Sequence, residues 1–198
     1  MELALFYLTL AAEALAALCV IVSIVFPRRR IWPPPGQHSW QGYLMWLLFS
    51  VSAAGVATLG IVGWGELAFA GWIRFIVGAP LGFAGNALAL WAMVALGIAP
   101  SLGGNSTLVC RGPYRFSRNP QYVGFIAALI GWAFLTSSGL TLLASFMGVV
   151  PLALVPFAEE PWLLARHGAA YEEYKRTVPR FVCLSGRLQG KHTRRVIR

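Results

Sequence analysis

The chain has 198 residues, 58% of them hydrophobic and only 12% charged, about half the charge of an ordinary soluble domain, which excludes a water-soluble globular fold. Sixteen Lys and Arg stand against seven Glu and no Asp, a balance of +9; in a membrane protein such an excess reports topology, so nucleic acid is not expected as a partner. Cys19, Cys110 and Cys183 are odd in number and far apart, and His38, His167 and His192 are equally scattered, so neither a disulfide framework nor a metal site is expected.

The first apolar run, residues 3–26, is long enough to span a bilayer as a helix. Glu2 precedes it and Arg28, Arg29 and Arg30 follow, the reverse of a secretory signal, so it reads as a retained anchor with the N-terminus outside. Glu13 lies inside the run, where a carboxylate is costly, and is expected to face other helices as a structural polar contact. Pro33-Pro34-Pro35-Gly36 is an extended or turning connector. The second run, residues 43–64, has Trp40, Trp46 and Trp64 near its ends as interfacial anchors. A short outer turn at 66–71 leads to the third run, residues 72–98, which carries Gly78, Pro80, Gly82 and Gly85. Those residues permit close packing and a kink at Pro80, and the small-residue stripe could receive a second copy of the chain. Asn86 is expected to bridge helices.

Gly103-Gly104-Asn105-Ser106 leads into residues 108–125, LVCRGPYRFSRNPQYVGF, a basic segment between membrane-length apolar runs. Gly112-Pro113 and Asn119-Pro120 are turn dipeptides, so this is folded loop. Arg111, Arg115 and Arg118, interleaved with Tyr114, Phe116 and Tyr122, could hold something anionic and planar; the plainer reading is anchoring at lipid headgroups. The apolar stretch from Tyr122 to Phe157 is too long for one span, and Thr136-Ser137-Ser138-Gly139 divides it into two short antiparallel helices. The first covers about 122–135, which is short for a crossing, so the turn before it sits at membrane depth beside a cavity.

The last span is expected to end in Pro156-Phe157-Ala158-Glu159-Glu160-Pro161, with a new helix starting at Pro161. Paired carboxylates there either cap that helix or meet something cationic. The helix carries Tyr171 and Tyr174 three apart on one face, and Glu172 pairs with Arg176 on its solvent side. Val178-Pro179-Arg180-Phe181 folds back, and the basic tail KHTRRVIR binds headgroups or is disordered. The fold class is therefore all-α: one polytopic membrane helical bundle over 1–198, with about five transmembrane helices. Three lie in 1–100; the loop, the helical hairpin and the C-terminal segment lie in 101–198. The basic segments all fall on one side, which the positive-inside rule makes cytoplasmic.

The elements LV, GPY, RNPQYVG, EEPWLLARHGAAYEEY and VPRF, in this order over residues 108–181, resemble the isoprenylcysteine carboxyl methyltransferase family of integral membrane enzymes and the related phospholipid N-methyltransferases. The resemblance covers roughly the C-terminal half. It implies S-adenosylmethionine as methyl donor, bound under the loop and the C-terminal segment, and a lipophilic or lipid acceptor entering from the bilayer. Carried onto this chain, the cofactor-binding set is Val109, Gly112, Tyr114, Arg118, Asn119, Tyr122, Gly124, Glu159, Glu160, Tyr171 and Tyr174. One departure falls in the motif that usually reads Arg-His-Pro-x-Tyr-x-Gly, where Asn119 replaces the histidine. Asn cannot titrate, so any proton-transfer role is absent, whereas a positioning role survives.

The cofactor's sulfonium, ammonium, carboxylate and adenine want acid, basic groups, aromatic faces and apolar walls. Glu159 or Glu160 is expected to meet the ammonium or ribose hydroxyls, and Arg118 with backbone N–H groups near Gly112 and Tyr114 the carboxylate. Tyr122, Tyr171 and Tyr174 line the sulfonium or adenine. Carboxyl O-methylation is the first reading, because an anion and a sulfonium annihilate their charges and need no general base; Arg176 or Arg180 would hold the acceptor carboxylate. N-methylation of an ethanolamine lipid would need a proton acceptor, with Glu160 the candidate. S-methylation of a small lipophilic acceptor, a nicotinamide-dependent sterol reductase relative and a non-enzymatic membrane scaffold complete the alternatives.

Overall fold

The computed structural model describes residues 1–36, 38–68, 71–97 and 107–182, and the regular structure within them is helical. α1 is Glu2–Val25 and α2 is Trp40–Val62. α3, Ala79–Leu96, continues from a π-helical stretch, Ile73–Gly78. α4, Pro120–Thr136, and α5, Gly139–His167, form a hairpin, and α6, Ala169–Thr177, is short. Glu2–Val25, Trp40–Val62, Ile73–Leu96 and Gly139–His167 are each long and apolar enough to cross a bilayer, and Pro120–Thr136 is a shorter apolar helix. The chain is an integral membrane helical bundle. The approach at 103–106, the end of the third run at 98, Cys183, His192 and the basic tail lie outside the described residues.

The glycines set the closest approach in the bundle. Gly78, Gly82 and Gly85 turn toward α4, where a Cβ on Gly85 would stand 2.5 Å from Ala128 N, and one on Gly124 would stand 2.6 Å from Ala89 N. Backbone therefore meets backbone across α3 and α4, which dispersion rewards when no side chain intervenes. The small-residue stripe packs against α4 within the chain. Asn86 does not bridge helices; its Nδ2 donates to Gly82 O on its own helix at 2.9 Å. Pro80 falls in the first turn of α3, where its missing N–H costs little, and the local distortion is the π stretch just before it.

The turn between α4 and α5 falls where the sequence placed it. Ser137 adopts the left-handed region at φ 53°, Ser138 caps α5 by accepting from Thr141 N, and Ser137 Oγ donates to Leu67 O at 2.7 Å. The end of α5 does not. Residues 139–167 form one helix of 29 residues with Pro151, Pro156 and Pro161 inside it, so the two hairpin helices are unequal and no helix begins at Pro161. Glu159 and Glu160 are mid-helix residues and cap nothing. Each proline removes one backbone hydrogen bond, but side chains from other elements grip the Glu159–Glu160 turn and hold the helix through it. The break comes at Gly168, φ 53°, and puts Tyr171 and Tyr174 on a separate helix.

Candidate active site

The connector after α1 folds back onto that helix. Ser23 Oγ accepts from Ile31 N at 2.9 Å and from Trp32 N at 3.0 Å while donating to Cys19 O at 2.7 Å. Trp32 is thereby buried, 3% exposed, against Val20, Met45 and Val155. Its Nε1 donates to Glu159 Oε1 at 2.7 Å, and the Tyr122 hydroxyl donates to the same oxygen at 2.6 Å. Tyr122 reaches it because Pro120 opens α4 at a position that needs no N–H donor. Two neutral donors from different elements fix one carboxylate oxygen.

Glu160 faces elsewhere. Arg180 grips it bidentately, Nε to Oε1 and Nη2 to Oε2, both at 2.7 Å, and Arg118 Nη1 stands 3.0 Å from Oε1. The Arg180 guanidinium also lies 4.0 Å from the centroid of the Phe157 ring, a partly exposed cation–π contact. The Arg118 contact is an ion pair out of hydrogen-bond alignment, and Nε and Nη1 of Arg118 are buried without an acceptor. Glu160 compensates the guanidinium charge, and the buried Nε–H that it leaves without an acceptor is costly unless another acceptor meets it.

The segment after α6 is laced to the loop by backbone groups. Arg118 N donates to Pro179 O at 2.9 Å, and the Arg180 carbonyl accepts from Asn119 Nδ2 at 3.0 Å and Ser117 Oγ at 3.2 Å. Asn119 therefore does a positioning task that needs an N–H donor and no titration. Tyr174 donates to Tyr114 O at 2.7 Å, and its ring meets Tyr171 edge-on at 6.1 Å. Burial, then the Glu160 charge, pushes the Tyr171 hydroxyl up to about 12. Burial first, then Glu159 for Tyr114 and Cys110 for Tyr174, raises those phenols as well. All three remain neutral at ordinary pH.

Two cavities meet at this site. A cavity of about 100 Å³ is lined by the loop, by Glu159 on α5 and by Tyr171 and Tyr174 on α6. A larger groove of about 470 Å³ runs between α2 and α4 from Trp46 and Tyr122 to Val56 and Trp132, with Glu13 and Gly148 also lining it. Trp32, Gln121 and Tyr122 line both. Toward its far end Trp132 Nε1 donates to Val56 O at 3.1 Å.

Of the residues expected at the site, Val109, Tyr114, Arg118, Asn119, Tyr122, Glu159, Tyr171 and Tyr174 line the smaller cavity together. Glu160 stands behind Arg118 as its ion-pair partner, and Arg180 pairs in turn with Glu160. Gly112, at φ 60°, packs beside Trp91 and Ala95 of α3, and Gly124 lies in the α3–α4 crossing. Arg176 is exposed on α6 and lines neither cavity. Sequence reasoning did not pick out Trp32 or Gln121. A tryptophan inside a polar proline connector, away from any helix end, was the available signal for the first.

Residues 73–170 match the family model described as phospholipid methyltransferase. No curated protein and no solved structure matches the chain.

Proposed function

Across residues 73–170 this chain belongs to the phospholipid methyltransferase family, and from that premise we propose that it moves a methyl group from S-adenosylmethionine to a lipophilic acceptor drawn from the bilayer. The observation that carries the reading is the wall of Trp32, Gln121 and Tyr122 shared by a small cavity that Arg118, Glu159 and several tyrosines line and a long apolar groove. A donor held in one and an acceptor held in the other would meet there. When bound, S-adenosylmethionine supplies a methyl group on a positively charged sulfur.

The residues fit that cofactor. Arg118 offers a buried Nε–H without an acceptor to a carboxylate, while its Nη1 already faces Glu160. Glu159, held by Trp32 and Tyr122, offers its carboxylate to an ammonium or to ribose hydroxyls. Tyr114, Tyr122, Tyr171 and Tyr174 present neutral aromatic walls suited to a cation or a purine. Glu160 and Arg180 act at one remove: their ion pair fixes Arg118 and ties the C-terminal segment under the loop. Arg180 is thus occupied and Arg176 is remote, so neither is placed to hold an acceptor carboxylate. The basic loop and Arg28 to Arg30 support a cytoplasm-facing cavity.

Carboxyl O-methylation remains the first reading of the acceptor, since a carboxylate needs no base against a cationic donor. The position of Glu159, bonded to Trp32 and Tyr122 of the shared wall, favours a second, N-methylation of an amine-bearing lipid, because this carboxylate in the smaller cavity can receive an amine proton. Labelled donor offered with liposomes containing a prenylcysteine, a long-chain fatty acid or phosphatidylethanolamine separates the two. Label in one acceptor class identifies it, and no transfer to any of them contradicts the proposal.

A further inference from the structure

Glu13 lies at the middle of α1, is 2% exposed, and lines the groove between α2 and α4. Ser52 Oγ of α2 donates to its Oε1 at 2.9 Å, and a Cβ on Gly148 of α5 would stand 2.9 Å from the same oxygen. Oε2 is buried and meets no donor among the described residues. No Lys, Arg or His lines the groove. A carboxyl group with an unused oxygen in an apolar cavity is destabilising unless a ligand or water supplies a donor, and a polar residue at membrane depth is a functional candidate by default. Packing does not need an acid here, because a leucine fills similar space without the desolvation cost.

The position of Glu13 along the groove gives the rule. From Gly148, beside Glu13, to Glu159, beside the shared wall, α5 advances eleven residues, about 16 Å at roughly 1.5 Å per residue. Between these points the groove is lined mainly by Trp46, Phe49, Phe125, Leu129 and Leu152, which suit a hydrocarbon chain.

Resting on the methyltransferase reading, we propose that Glu13, oriented by Ser52, is a specificity-determining residue: the groove selects an acceptor whose tail carries a hydroxyl or amide N–H about 16 Å from the methyl-accepting atom. Along the intervening length the tail is plain hydrocarbon. The donor binds Glu13 Oε2, and a chain without it leaves that oxygen unmet.

Binding tests this without requiring methyl transfer. Purified protein in nanodiscs is titrated with ω-hydroxy fatty acids of increasing chain length, with the matching unsubstituted acids, and with the corresponding long-chain amines with and without the hydroxyl. At one intermediate length the hydroxylated probe of at least one head-group series is expected to bind roughly tenfold more tightly than its plain partner. Glu13→Leu, which keeps an apolar filler, abolishes or reverses that preference, and Ser52→Ala weakens it. Equal binding of hydroxylated and plain probes at every length, binding of neither series, or a preference unchanged in Glu13→Leu overturns the proposal and leaves Oε2 to water. Failure of methyl transfer with this preference intact counts against the methyltransferase reading alone.

Discussion

Tyr122 and Trp32, ninety residues apart in sequence, donate to one oxygen of Glu159, at 2.6 Å and 2.7 Å. This joins the proline connector after α1, the start of α4 and the far end of α5 into one fixed carboxylate. The arrangement makes Glu159, not Glu160, the acid that faces the smaller cavity.

Removing either donor should therefore act on Glu159. Tyr122→Phe and Trp32→Phe each delete one hydrogen bond to a charged acceptor, expected to weaken cofactor binding by about 1–3 kcal/mol with the fold retained. Glu159→Gln should weaken it at least as much. Calorimetric affinities for S-adenosylhomocysteine check the set, and unchanged values in all three would remove Glu159 from the cofactor site.

Glu160 carries a different expectation. Its two oxygens meet Arg180 and Arg118, so Glu160→Ala leaves two guanidinium groups uncompensated. Breaking a buried pair costs about 3–5 kcal/mol; with Arg180 about one-third exposed, nearer about 2–3 kcal/mol is expected here. The thermal midpoint should fall, and removing one of the two cations with Arg180→Met in the same chain, which returns the cluster to its original net charge, should recover part of the loss.

Asn119→Ala removes the side-chain donor to Arg180 O and should loosen the C-terminal segment by about 1 kcal/mol. Increased proteolysis after residue 177 would report it. Asn119→His keeps an N–H donor and should retain more activity than Asn119→Ala; equal loss in both would show that the position requires the amide shape.

The α3–α4 crossing gives a stability test of the packing itself. Gly85→Leu places a side chain where even a Cβ would stand 2.5 Å from Ala128 N, and overpacking of this kind costs about 1–3 kcal/mol or more. Asn86→Leu, one residue along and exposed, with its amide bonded to its own helix, should leave the midpoint within about 0.5 kcal/mol.

The helical runs, their order and the Thr136–Gly139 division were legible because hydropathy and turn chemistry are local signals. The course of α5 was not. Pro161 after two acids reads as a helix start, and only the grip of Trp32, Tyr122, Arg118 and Arg180 on that turn carries the helix through. Tyr122, Arg118 and the tyrosines of α6 were identifiable from residue type and motif order. Trp32 was hidden because its partner lies 127 positions away, and Glu13 was legible as a buried acid but not as part of a groove lined by several other helices. Helical spacing places Arg176 on α6 but does not say which face turns inward, and the residue is exposed and lines neither cavity.

The most direct measurement is calorimetric titration of the purified protein with S-adenosylhomocysteine, with a reduced nicotinamide dinucleotide as the comparison and Arg118→Gln as the variant. The account predicts micromolar binding of the first ligand alone, weakened about tenfold or more in Arg118→Gln. Binding of the nicotinamide instead, or of neither ligand by well-folded protein, would contradict the methyltransferase assignment at its centre.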